Sequence, residues 1–198
     1  MYQVSKKKSL RENPFVPIYR TCNNGSNEEK YKLIKTKELE VPRYIDVELT
    51  NNCNFKCRFC PTGTKSMKRT RGFMSDEVAE SISKNVEKYK IPGVRFIRWG
   101  EPTIHPKYIE IMSRVKKAGA LIHINTNGSK LDEEQIKSLL KIPLDSIKIS
   151  FQGVDSESYN EMRFGGNYEE LLKKVKLFSQ IRDKFTPPPH VIFRFQQQ

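Results

Sequence analysis

From Val41 onward, short apolar runs alternate with longer amphipathic stretches. The runs at 44–49, 94–97, 121–124, 146–150 and 191–195 are each strand-sized and rich in β-branched or aromatic residues, which pack well on a pleated surface, so they predict five strands. Between them, Val78, Ile82, Val86 and Tyr89 recur at helical spacing and predict the apolar face of a helix. Ile109, Met112 and Val115 do the same for the next helix, with Gly119 placed to end it. Asp132 with Gln135, and Asn167 with Glu170, have the spacing of reciprocal N-terminal caps and predict two further helix starts. Strands and helices in alternation require parallel strands joined by right-handed crossovers. The fold class is therefore α/β, as either a barrel-like or an open doubly wound sheet. Both place their chemistry beyond the carboxyl ends of the strands. Residues 1–40 mix Lys, Asn, Glu and Pro without periodicity and read as an irregular N-terminal extension, leaving 41–198 as the core.

Composition narrows the picture. A chain of 198 residues with 36% hydrophobic and 30% charged positions has the balance of one folded domain. No stretch approaches the ~20 apolar residues of a membrane span. The first residues lack the apolar run of a secretory leader, so the expected location is cytoplasmic. Three of the four cysteines fall between 53 and 60, which suits a metal site in a reducing compartment better than a disulfide framework. A net charge of +13 favours anionic partners without choosing among them.

The cysteines stand directly after the first predicted strand, in Thr50-Asn-Asn-Cys53-Asn-Phe-Lys-Cys57-Arg-Phe-Cys60-Pro61. Three thiolates spaced in this way can wrap one small metal centre. A closed zinc site or electron-transfer cluster needs a fourth protein ligand, for which Cys22 is the candidate. The C-x3-C-x2-C loop, with Phe59 before its last cysteine, resembles the signature of the radical SAM superfamily. The resemblance implies a [4Fe–4S] cluster on Cys53, Cys57 and Cys60, with S-adenosylmethionine (SAM) chelating the open iron. It further implies reductive cleavage of SAM to a 5′-deoxyadenosyl radical, hydrogen abstraction from a substrate, and an electron donor of flavodoxin or ferredoxin type.

Later motifs agree. Arg98-Trp-Gly100-Glu101-Pro102 follows the second strand and is similar to the family's GGEP segment, with Trp99 in place of the first glycine. Gly100 and Glu101 are thereby expected at the SAM amino group. Thr126-Asn127-Gly128 ends the third strand like a family turn that shapes the pocket. Ser150, at the end of the fourth strand, and Arg163, in the helix region that follows, match positions that bind the SAM carboxylate, while Phe59 is expected near adenine. On this resemblance the expected architecture is an incomplete parallel (β/α) barrel of about five strand–helix units. A sixth unit and a cysteine-rich extension seen in relatives are missing, and the reading is of a truncated core.

His105, before Pro106, reads as a helix-start residue. Lys56, Arg58, Lys65, Lys68, Arg69 and Arg71 occur without an acid between 54 and 75 and predict a basic mouth facing an anionic substrate or carrier. Other functions compatible with these residues are a non-catalytic binding or regulatory relative, an iron–sulfur carrier using Cys22, and an RNA-modifying member of the family.

Overall fold

The computed structural model describes residues 14–15, 41–153 and 155–194, with Phe193 and Arg194 described for their backbone alone. Its centre is a five-stranded sheet in the order β1-β2-β3-β4-β5, formed by β1 (Ile45–Val47), β2 (Gly93–Phe96), β3 (Leu121–Thr126), β4 (Ser146–Ser150) and β5 (His190–Arg194). Every neighbouring pair is parallel. The connections carry α1 (Asp76–Tyr89), α2 (Tyr108–Lys117), α3 (Glu133–Lys141), α4 (Ser156–Met162) and α5 (Tyr168–Arg182), with a 3₁₀ turn at Pro102–Ile104. This is the expected α/β fold built from strand–helix units. The extension expected over 1–40 lies outside the described residues apart from 14–15, as does Cys22.

Strand alternation divides the residues into two sets with different fates. Val47, Val94, Phe96, Ile122, Ile124, Ile147 and Ile149 join the helix residues Ala79, Val86, Ile111, Met112, Val115, Ile136 and Leu139 in one core. Full burial of a large aliphatic side chain in such a core contributes about 1.5–3 kcal/mol. The opposite face is polar. In register across the sheet stand Asp46, Arg95, His123, Ser146 and His190. Arg95 clamps Asp46 with two hydrogen bonds, Nε to Oδ1 at 2.6 Å and Nη2 to Oδ2 at 2.9 Å. Below this row the Phe15 ring packs edge-on against His123, with centroids 5.8 Å apart.

The helices form for local reasons, with some departures from the expected patterns. Ser75 caps α1 by accepting from Val78 N, and Lys90 ends it in the left-handed conformation. The buried stripe of α1 is Ala79 and Val86, while Val78 and Tyr89 are 50% and 46% exposed. The heptad step from small Ala79 decides the buried face, and the larger Val78 is left outside. Asp132 caps α3 through Gln135 N, but the Gln135 amide oxygen accepts instead from the Tyr108 hydroxyl at 2.5 Å, tying α2 to α3. Asn167 likewise caps α5 through Glu170 N. The complete capping box lies at Asp155 and Ser158, starting α4.

Candidate functional site at the strand carboxyl ends

The cluster loop is closed at its base by a clamp of amides and hydroxyls. The Thr50 hydroxyl donates to Gly72 O at 2.6 Å, while Asn51 both donates to Thr70 O and accepts from Gly72 N. Thus the buried Asn51 side chain mimics a strand ladder across a 20-residue excursion. The Arg71 guanidinium reaches the carbonyls of Asn51 and Thr62.

A second pairing brings in the far part of the chain. Lys56 N donates to Phe164 O at 2.8 Å and Arg58 N to Met162 O at 3.1 Å. These two bonds flank Arg163 and deliver it to the cysteine loop. Arg163 is the C-cap of α4, one residue past the helix, rather than a residue within it. Its guanidinium carbon lies 5.7 Å from the centroid of Phe59. The side chain is 5% exposed and its Nε is buried without a hydrogen-bond partner.

Burial raises the Cys53 thiol to about 11, with a bond from Phe55 N working in the other direction. Burial also raises Cys57, against the pull of the Arg163 charge. Soft donors that resist ionisation in this way need a strongly electrophilic metal centre to become thiolates. Among the described residues, no three His, Cys, Asp or Glu side chains converge closely enough for a single ion. The three thiols line one cavity, and three cysteine ligands leave one iron of a four-iron cluster open, whereas a structural zinc site is closed by four protein ligands.

Gly100 and Glu101 sit against the start of the same loop. A Cβ at Gly100 would overlap the Thr50 carbonyl oxygen, so only glycine permits this approach. Glu101 N donates to Asn52 O at 2.9 Å. The buried Glu101 carboxylate accepts four bonds, three at Oε1 from Thr103 N, Thr103 Oγ1 and Thr126 Oγ1, and one at Oε2 from Asn127 N. Burial pushes its pKa above the usual carboxylate range, and these four donors pull it only part of the way back. Asn127 also donates to Asn54 Oδ1 at 3.0 Å. The Thr126-Asn127-Gly128 motif therefore joins the loops after β1, β2 and β3 through Glu101.

Cys53, Cys57, Cys60, Phe59, Gly100, Glu101, Ser150 and Arg163 all line one cavity of about 330 Å³ at the strand carboxyl ends. The sequence reading missed Arg98, Trp99, Asn125, Lys148 and Gln152, which line it as well. Period-two alternation places Lys148 on the same face as Ser150, a signal that was open to reading. Backbone geometry was not: Arg98 and Gln152 hold φ values of 129° and 43°, rare for residues with a Cβ and concentrated at functional sites.

Two expectations change here. His105 is buried, three residues ahead of α2, and its ring nitrogens bind Met74 O and Lys107 N, a structural role. The basic segment is partly spent on the protein itself: Arg58 pairs with Glu161, Arg69 with Glu48, and Arg71 with backbone carbonyls. Lys56, Lys65 and Lys68 are exposed. No described helix is long and apolar enough to cross a membrane.

The sequence profile of the radical SAM superfamily matches residues 47–186. Members of that family bind a [4Fe–4S] cluster and SAM, and the matched relatives include enzymes. A tungsten-containing aldehyde ferredoxin oxidoreductase cofactor-modifying protein of Pyrococcus furiosus is 30% identical over 144 residues, covering 70% of this chain and 40% of the relative. A GTP 3′,8-cyclase of Limosilactobacillus fermentum is 28% identical over 145 residues, covering 71% and 43%. The chain thus spans less than half the length of these relatives. In structure, Streptococcus suis SuiB bound to its precursor peptide SuiA superposes with a TM-score of 0.63 at 21% identity, over 91% of this chain and 39% of that one. Fold, profile and a cavity ringed by three thiols agree, and the chain is a member of the radical SAM superfamily.

Proposed function

We propose that this chain is the core of a radical SAM enzyme in which Cys53, Cys57 and Cys60 hold one [4Fe–4S] cluster and SAM takes the open iron. When bound, these cofactors supply reductive cleavage of SAM to a 5′-deoxyadenosyl radical that abstracts hydrogen from a substrate, using an electron from a flavodoxin- or ferredoxin-type donor. The free thiols suit a reducing, cytoplasmic setting.

One observation carries the reading. Three thiols share a cavity with a buried arginine whose Nε has no partner. A guanidinium withdrawn from water requires an anion, and its planar fork matches a carboxylate. Arg163 therefore receives the SAM carboxylate, joined by the Ser150 hydroxyl. Gly100 brings backbone carbonyl close to the amino group. Glu101 acts there mainly through its charge and through Oε2, because Oε1 already accepts three bonds. Phe59, its ring centroid 5.7 Å from the Arg163 guanidinium carbon, offers an apolar edge to the adenine.

Anaerobic reconstitution, reduction with dithionite and electron paramagnetic resonance of the reduced protein, with and without SAM, test the assignment. One [4Fe–4S] signal per chain is expected, altered by SAM, lost in Cys53→Ala, Cys57→Ala and Cys60→Ala, and retained in Cys22→Ala. Loss of the cluster in Cys22→Ala together with no spectral effect of SAM would sink the proposal.

A further inference from the structure

The segment that carries Cys57 has two faces. From 54 to 58 the residues alternate strictly, with Asn54, Lys56 and Arg58 exposed and Phe55 and Cys57 buried. Residues 162–164 pair with this segment and continue the division, since Arg163 is buried and Phe164 is 64% exposed. Cys57 and Arg163 line the cavity, whereas Lys56, Arg58 and Phe164 do not. The outer face therefore lies directly behind a cluster ligand, one residue away from Cys57 on either side.

A second stretch is laid on the same backbone. A Cβ at Gly63 would overlap the Cys57 amide nitrogen and carbonyl oxygen and the Lys56 carbonyl carbon, so the turn at 61–67 lies against the peptide joining those two residues. Thr64 N donates to Cys60 O at 2.9 Å and Met67 N to Pro61 O at 3.3 Å, and the exposed Lys65 stands between them. Charge on this surface is one-sided. No acid occurs at 54–75 or at 162–168. Glu161 is held by Arg58 at 2.7 Å, which leaves Lys56 and Lys65 as excess charge. Beside them stands Phe164, whose carbonyl accepts from Lys56 N at 2.8 Å.

We infer that this outer face is where an acidic one-electron carrier protein docks to reduce the cluster. The inference rests on the radical SAM reading and names the landing surface of that partner. Electron transfer weakens steeply with distance, so a carrier must approach where the cover over a cluster ligand is thin. The mouth of the cavity is the other approach, and on that reading it is committed to SAM and substrate. Excess lysines steer an acidic partner, and an exposed aromatic ring supplies an anchor for the small interfaces typical of transient redox encounters. One electron leaves the reduced carrier and enters the cluster; no bond forms or breaks and no proton moves.

The test titrates reconstituted protein with oxidised flavodoxin by calorimetry, then follows cluster reduction by flavodoxin hydroquinone as bleaching of the visible absorbance. Photoreduced deazaflavin, uncharged and too small to need a docking face, is the reference reductant. Flavodoxin is expected to bind saturably at low salt and more weakly as salt rises. The joint change Lys56→Gln with Lys65→Gln, and separately Phe164→Ser, should each weaken binding and slow flavodoxin-driven reduction by about tenfold, with deazaflavin-driven reduction within about twofold of the parent. Lys117→Gln with Lys141→Gln, exposed positions at the ends of α2 and α3 near the strand amino ends, should change neither. Cluster content and the SAM-induced spectral change should persist in every variant, which shows that they are folded. Three results would each overturn the docking face while the SAM response stands: no saturable flavodoxin binding, binding unchanged in both face variants, or a single-stranded RNA oligonucleotide binding these lysines more tightly than flavodoxin does. Loss of the SAM response in the unmodified protein instead removes the underlying reading.

Discussion

Arg163 lines the candidate cavity beside the cysteine loop. Its charge lowers Cys57 against the effect of burial, its guanidinium carbon lies 5.7 Å from the centroid of the Phe59 ring, and its Nε has no hydrogen-bond partner. Arg163→Ala should weaken SAM binding by ~2–5 kcal/mol, the usual consequence of truncating a buried charged contact. Arg163→Lys should fall between, since it keeps the charge but loses the fork. Removing the guanidinium also leaves the Cys57 thiol harder to ionise, so cluster assembly in Arg163→Ala should slow most at low pH. Iron content against time and SAM titrations followed by the paramagnetic signal measure the two effects. Unchanged SAM affinity in both variants would take Arg163 out of the site.

Elements meet at this site through close backbone contacts, and the loop after β2 shows how little room they leave. Gly100 lies against Thr50 at the root of the cysteine loop, while Gly72, on the return of that same loop, has nothing near its Cα hydrogens. Gly100→Ala must push the two loops apart and should cost about 1–3 kcal/mol, as other overpacked positions do. Gly72→Ala should stay within about 0.5 kcal/mol of the parent. Urea midpoints and iron content of the two variants provide the comparison. Equal stability of both would mean that the β1 and β2 loops do not depend on this contact.

The whole molecule puts its apolar residues between sheet and helices and its polar residues on the other sheet face, and His123 is the titratable group buried deepest in that second layer. Its pKa is lowered from 6.5 to about 4, chiefly by burial, so the folded chain binds fewer protons than the unfolded chain between those values. Stability should therefore be fully present above about pH 6.5 and fall as pH drops toward 4. His123→Gln, which cannot titrate, should flatten that part of the profile of urea midpoint against pH. An unchanged slope would show that other groups cause it.

What the sequence determined by itself is what short-range chemistry encodes: five apolar runs, the helix caps, three cysteines after one strand, and motifs after three more. Period-two and 3.6-residue patterns depend on near neighbours, and strand-to-helix alternation is enough to place those motifs at one end of a parallel sheet. Side chains acting over long separations were decided by the tertiary structure. Arg58 meets Glu161 across 103 positions, Asn127 meets Asn54 across 73, and Arg163 reaches the thiols only because residues 56–58 pair with 162–164. The same limit hid the burial of Ala79 in place of Val78, the saturation of Glu101 Oε1 and the pairing of the basic loop's arginines with groups elsewhere in the chain. In each case the outcome depends on which groups compete for a donor or a surface once the chain has closed. Local patterns do not carry that information, because the competitors are distant in sequence.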